Sequence, residues 1–144
     1  MATAAIHAIG TLLKMGDGGS PETFTTIAEV LSIRGPSLSS DTIDVTNHDT
    51  SNGYREFIMG LQDGGEVTFS INYQPTAPTH NATSGLLKAY DAKTKKNWRL
   101  VFPDAGGTTW NFAGVVRTFS VNAPIDAQLT ADVTIKVSGK PTLV

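Results

Sequence analysis

The sequence predicts a mainly β protein, a β-sandwich or barrel of two packed antiparallel sheets with one flanking α-helix and a long extended loop. Three observations predict it. Period-two alternation recurs along most of the chain, only one stretch has helical spacing, and glycine-rich turns such as Gln62-Asp63-Gly64-Gly65 and Ala105-Gly106-Gly107 separate the alternating runs. In chain order, Ile9 to Met15 reads as a short strand. Phe24 to Arg34 follows as a strand rich in β-formers, with Thr25, Thr26, Ile27, Val30 and Ile33.

Residues 35–54 break the pattern, being polar with almost no core-forming side chains. A structureless stretch of that length inside a compact domain is uncommon and usually functional. Asn52-Gly53 is a two-residue hairpin signal, so Asp44-Val45-Thr46 can pair with Arg55-Glu56-Phe57 in a projecting arm. Glu66 to Tyr73 then alternates strictly, with Val67, Phe69, Ile71 and Tyr73 on one face. Pro75 and Pro78 separate that strand from a helix over about 83–93, where Leu86, Leu87 and Tyr90 share a face. Thr83 or Asn81 can cap this helix, and Lys93, Lys95 and Lys96 suit its C-terminal end.

Beyond the helix, Asn97 to Phe102 alternates with Trp98, Leu100 and Phe102 inward. From Trp110 to Phe119 the alternation changes phase, Trp110 and Phe112 giving way to Val115, Phe119 and Val121, and Gly114 is the expected bulge. Leu129 to Val137 is the last long half-buried strand. Without repeats, linkers or low-complexity tracts, residues 1–144 are expected to form one domain with an N-terminal arm over about 1–8.

Composition narrows the function. Hydrophobic residues are 40% of the chain, enough for a core, but charged residues are only 17%, against about 25% in an average soluble domain. Eleven basic and thirteen acidic residues leave a net charge of −2, which argues against a protein that grips nucleic acid through phosphates. The lack of cysteine removes thiolate metal sites, thiol nucleophiles and disulfides. No basic n-region opens the chain, and no run approaches a membrane span, so a soluble chain assembled in the cytoplasm without membrane insertion is expected.

Chemical motifs are weak throughout. His7, His48 and His80 lie in polar surroundings and read as surface or interface histidines, with no pair at zinc-site spacing. Asp41, Asp44 and Asp49 share a loop but fail the EF-hand spacing. No phosphate-cradling glycine motif exists. Lys93, Lys95, Lys96 and Arg99 read as a solvated helix end in preference to a phosphate patch. No catalytic, metal or cofactor residue is therefore assigned, and no enzymatic activity or cofactor is expected.

The linear order of several segments resembles the tail tube (major tail) proteins of long-tailed, non-contractile bacteriophages. The resemblance rests on Gly10-Thr11-Leu12-Leu13-Lys14, on Ile27 to Pro36, and on Ile43-Asp44-Val45-Thr46-Asn47-His48-Asp49. It continues through Tyr54-Arg55-Glu56-Phe57-Ile58-Met59-Gly60-Leu61-Gln62-Asp63-Gly64-Gly65-Glu66-Val67, Phe102-Pro103-Asp104, Phe112 to Val116 and Val137 to Pro141.

The resemblance implies a structural subunit of the virion tail, with hexameric rings stacked into a tube whose β-lined channel carries viral DNA without specific binding. Its implied partners are further copies and other tail proteins: tape measure, tail tip and terminator. The loop at 35–54 would contact the neighbouring ring through Asp41, Asp44, Asn47, His48, Asp49, Asn52 and Tyr54. Candidate lumen-facing residues are Glu66, Thr68, Ser70 and Asn72, with Thr130, Asp132, Thr134 and Lys136. The N-terminal arm and residues 141–144 are further expected contacts. Alternatives are a tube of the secretion-system type and, behind it, a β-sandwich binding module for carbohydrate or protein, which would display exposed aromatics where this sequence places most of its own in the core.

Overall fold

The computed structural model describes residues 3–144, so the first two residues of the expected N-terminal arm lie outside the described part. The strands are β1 (Leu12–Gly16), β2 (Phe24–Thr26), β3 (Val30–Arg34), β4 (Ser39–Asp44), β5 (Phe57–Asp63), β6 (Glu66–Asn72), β7 (Lys96–Val101), β8 (Thr109–Asn122) and β9 (Thr130–Leu143). A helix, α1 (Leu86–Ala92), lies between β6 and β7. Seven strands form one antiparallel sheet in the order β2-β1-β7-β8-β9-β6-β3, and β4 and β5 pair separately. The architecture is mainly β with one helix, as the alternation predicts, and the large sheet does not close into a barrel.

The length of β8 and β9 explains how one sheet makes two layers. Residues 109–114 of β8 pair with β7, while residues 130–136 of β9 pair with β6. Leu13, Trp98, Leu100 and Phe112 from the first half share one core with Val67, Phe69, Ile71, Val133 and Ile135 from the second. The sheet therefore folds over itself, the long strands passing from one layer to the other, and irregularities supply the bend.

Those irregularities are not at Gly114. The register of β8 with β9 shifts between Asn111 and Ala113, where β9 carries extra residues around Gly139, and again between Val116 and Thr118, where Arg117 is the extra residue. Val116, not Val115, is the buried side chain before the slip. Gly114 serves close approach instead: a Cβ there would lie 2.6 Å from the Lys136 carbonyl oxygen. Its own carbonyl accepts the buried Trp98 indole N–H at 3.1 Å.

The stretch from Phe24 to Arg34 is two strands, not one. β2 pairs with β1, then the chain turns through Glu29 at φ 60° and β3 pairs with β6 on the other layer. This corner is fixed from below. Ala28 N–H donates to Thr79 Oγ1 at 3.1 Å, and Ala28 O lies 2.7 Å from His80 Nε2. His80 Nδ1 accepts the Gln74 N–H at 3.1 Å, so the proton sits on Nε2 and is donated to Ala28. His80 is thus a fully buried structural residue and not the surface histidine its polar neighbours in sequence suggest. His7 and His48 are exposed.

The helix is shorter than its periodicity implies. Asn81 Oδ1 accepts the N–H groups of Thr83 and Ser84, which caps a turn ahead of the helix, and α1 starts only after Gly85. Leu86 and Ala89 enter the core while Tyr90 stays exposed. Lys93 ends the helix in the left-handed conformation.

Candidate functional site

Alternation along β6 and β9 puts every second side chain into the core and leaves the others on one outer face. The register sets these outer residues directly opposite one another: Glu66 with Lys136, Thr68 with Thr134, Ser70 with Asp132 and Asn72 with Thr130. β8 extends the rows with Thr118, Ser120 and Asn122, and β3 extends them with Ser32 opposite Ser70 and Arg34 opposite Thr68. The result is a four-stranded polar face, β8-β9-β6-β3. Ser32 and Ser70 hydroxyls are 3.0 Å apart, and Asn72 Nδ2 donates to Glu29 Oε2 at 3.1 Å.

Two of the four charges on this face, Glu66 and Lys136, have ion-pair partners, and Asp132 and Arg34 have none among the described residues. Arg117, displaced by its bulge, pairs with Glu66, and Lys136 Nζ lies 3.2 Å from Asp63 Oδ2. The Gly65 N–H and then Lys136 hold the Asp63 carboxyl below its ordinary value. Arg99, by contrast, belongs to the other layer, where its guanidinium stacks 3.8 Å from the Phe24 ring centroid.

Both edges of the polar face lack a partner among the described residues. β3 pairs only with β6, and the pairing of β8 with β7 ends at Gly114 opposite Lys96, leaving residues 115–122 of β8 unpaired on the side away from β9. Neither edge carries proline or lysine, the residues that commonly block strand addition.

The second feature is the arm. β4 and β5 pair antiparallel from Ser39 opposite Asp63 to Asp44 opposite Phe57, and Val45 N–H continues the ladder to Glu56 O at 2.9 Å. Part of the stretch read as a loop, Ser39–Asp44, is thus strand, and its tip is a short 3₁₀ turn, Ser51–Gly53, with Asn52 at φ 61°. The arm leaves the body at a tight joint. Gly65 sits at φ +71°, and a Cβ on it would lie 2.0 Å from the Ser37 carbonyl oxygen. Beyond the joint the arm runs beside the far part of β9, with Met59, Gln62 and Asp63 facing Gly139 and Lys140.

Almost nothing on the arm is buried, although much of it is apolar. Ile43 and Ile58 share one face, Phe57 and Met59 lie on the other, and Tyr54 and Leu61 are also exposed. A two-stranded hairpin is marginal in water by itself, and contiguous exposed apolar residues mark a surface meant for a partner.

Residues 10–144 match the family model described as lambda phage tail tube protein, TTP. The chain belongs to the lambda phage tail tube protein family. It is a structural subunit of the phage tail, and so a component of the virion. This tail tube protein is similar to "Structural protein 3" of Pseudomonas phage PAJU2, 27% identical in a match that covers 80% of this chain and 79% of the relative. Its fold is similar to a chain in the tail of an empty gene transfer agent particle refined with C6 symmetry. That likeness has a TM-score of 0.79 and 17% identity, covering 97% of this chain and 99% of the other. It is also similar to the SPP1 tail tube, with a TM-score of 0.67 and 8% identity over 92% of this chain and 75% of that one.

In the tail tube protein the sequence-derived residues fall into two separate sets. Glu66, Thr68, Ser70, Asn72, Thr130, Asp132, Thr134 and Lys136 come together on the polar face. Asp41 and Asp44 lie on β4, whereas Asn47, His48, Asp49, Asn52 and Tyr54 form the arm's tip region. Asn47 Oδ1 accepts the Asp49 N–H at 2.8 Å, and Asp44 Oδ1 accepts the Thr46 N–H at 2.9 Å. Hydrogen bonding from the Thr46 side chain, then its backbone, holds the Asp44 carboxyl below its ordinary value.

Sequence reading missed the polar contributions of β8 and β3 and the apolar arm residues Phe57 to Leu61. The signal for the first was present in the alternation after Arg117, once the slip is placed there. That for the second was an apolar run with no parity, which fits neither a half-buried strand nor a solvated loop.

Proposed function

We propose that the chain forms hexameric rings stacked into a hollow tube, with the face β8-β9-β6-β3 lining the channel through which viral DNA passes. The observation that carries this reading is a polar four-stranded face with both edges unpaired, in a chain of the tail tube family. Ring closure by rotation needs two different complementary edges on each copy, and β3 and residues 115–122 of β8 offer them.

Six copies, the symmetry of the gene transfer agent tail that shares this fold, would bring twenty-four strands into one wall. At about 4.8 Å between strands its perimeter is about 115 Å before tilt widens it, a diameter of about 37 Å or more, ample for a DNA duplex. Thr, Ser and Asn dominate the wall, Glu66 and Lys136 are ion-paired, and Arg34 and Asp132 offset one another in net charge. Few phosphate counterions would be released on contact, so DNA slides without being held. The arm contacts the next ring, residues 1–8 and 141–144 add further contacts, and tape measure, tail tip and terminator proteins cap or fill the tube. The role is structural, without catalysis, and residues 1–144 act as one domain. Family membership favours a phage tube over one of the secretion-system type.

Negative-stain electron microscopy with light scattering tests the reading. Sixfold rings or long hollow tubes are expected, and a stable monomer at high concentration would overturn it. Within the tube, Asp132→Lys on the exposed wall is expected to slow DNA ejection from phage carrying it. Unchanged infectivity and ejection would count against a lumenal position.

A further inference from the structure

Ile125 has no role in the fold or in the polar face. It is fully exposed in the turn joining β8 to β9, with Val121 and Leu129 beside it also exposed. The position of this turn gives it meaning. The rows of the polar face run from Glu66 and Lys136 at one end to Asn72, Thr130 and Asn122 at the other. The arm joins at the first end, through Asp63 to Glu66, and runs on beside residues 139–140 of β9, away from the second. The Ile125 turn lies at the second end. One molecule thus carries exposed apolar side chains at both ends of the same strands, at distances that its own chain cannot close.

Stacking by translation and twist joins unlike ends of identical subunits. We propose that the β8-β9 turn is the receptor for the arm of a copy in the adjacent ring, with Ile125 packing on one apolar face of the β4-β5 hairpin, that of Ile58 and Ile43 or that of Phe57 and Met59. The inference rests on the tube reading above and adds the contact that stacks the rings. The occupant is a second copy of this chain because both ends present apolar surface at a rim where only another ring is adjacent in a stack. Burial of Ile125, Val121 and Leu129 against the arm removes from water the surface that each monomer leaves open.

Two experiments on the full-length chain test this. Ile125→Asp alters a fully exposed turn residue, so the fold should hold, as an unchanged circular dichroism spectrum and thermal midpoint would verify. Rings are expected to persist, while the critical concentration for tube growth rises by at least about tenfold, because each ring junction loses one such contact per subunit. The second experiment uses the natural absence of cysteine. Ile125→Cys is combined in one chain with Phe57→Cys, and in another with Ile58→Cys, on opposite arm faces. Tubes are then treated with a short bismaleimide. A ladder of crosslinked multimers from either pair, absent from each single variant, supports the contact. Normal tubes from Ile125→Asp, or tubes without a ladder from both pairs, would overturn it while leaving the tube reading intact. If the unaltered protein forms neither rings nor tubes, the tube reading fails and this inference with it.

Discussion

Phe69 in β6 is 1% exposed, whereas Phe57 in β5 is 53% exposed, and Ile71 and Leu61 differ in the same sense, at 0% and 84%. The two strands follow one another in the chain across a two-residue turn and have comparable apolar content. One satisfies its apolar side chains inside the subunit; the other leaves them exposed. The contrast teaches that composition does not separate fold from assembly. Parity does: β6 alternates strictly, as a strand with one wet face must, while β5 is apolar on both faces of a hairpin that touches the body beside residues 139–140 of β9.

The comparison breaks most sharply under matched truncations. Phe69→Ala is expected to destabilise the monomer by about 3–5 kcal/mol, the usual cost of deleting a buried phenyl ring. Phe57→Ala should change monomer stability by less than about 0.5 kcal/mol while weakening tube growth. Urea denaturation of both variants measures the first effect, and light scattering the second. A large stability loss from Phe57→Ala would show that the arm belongs to the body's core.

Gly114→Ala comes next. Its Cβ would meet the Lys136 backbone, which cannot swing aside as a side chain can, so about 1–3 kcal/mol is expected, read as a lower urea midpoint. Wild-type stability in that variant would mean that the layer crossing in β8 and β9 is looser than its geometry. Deleting residues 41–51 should matter less to the monomer, shifting Tm by under about 4 °C, yet abolish ring stacking. Unfolding of the deletion variant would contradict the arm's independence.

The smallest effect is acid sensitivity. Asp17, Asp44, Asp63 and Asp104 all have lowered values, Asp17 chiefly through the Gly19 N–H and Asp104 chiefly through the Thr108 hydroxyl and then its N–H. A folded-state value below the ordinary 3.8 contributes stability that is present above that value and lost as pH falls through the folded one. Tm should therefore hold down to about pH 4 and decline below it. Asp104→Asn, in the body, should flatten that decline slightly. Asp44→Asn, in the arm, should leave it unchanged.

Much of the body was legible because each buried strand obeys a parity that the residues display. Val67, Phe69 and Ile71, Trp98 and Leu100, and Val133 and Ile135 all lie where alternation places them. Three features escaped for stated reasons. Ser39 to Asp44 carries no apolar period, since neither face of β4 is buried, and so read as loop. The bend in β8 was assigned to glycine, but the extra residue is Arg117, whose displacement also gives it Glu66 as a partner. His80 looked exposed beside Pro78 and Asn81, and only the fold brings Ala28 and Gln74 to its two nitrogens. The eight polar-face residues of β6 and β9 could be named from each strand separately, but their pairing, and the open edges beside them, depend on a strand order that no local pattern encodes.

The central claim is that the polar face of β8-β9-β6-β3 lines the tube and that its two open edges join between subunits. A helical reconstruction of self-assembled tubes by electron cryo-microscopy tests it most directly. The account predicts Thr68, Ser70 and Thr134 on the inner wall, and β3 of one copy hydrogen-bonded to residues 115–122 of the next in the same ring. Tubes with that face on the outer surface, or with either edge still unpaired, would contradict it.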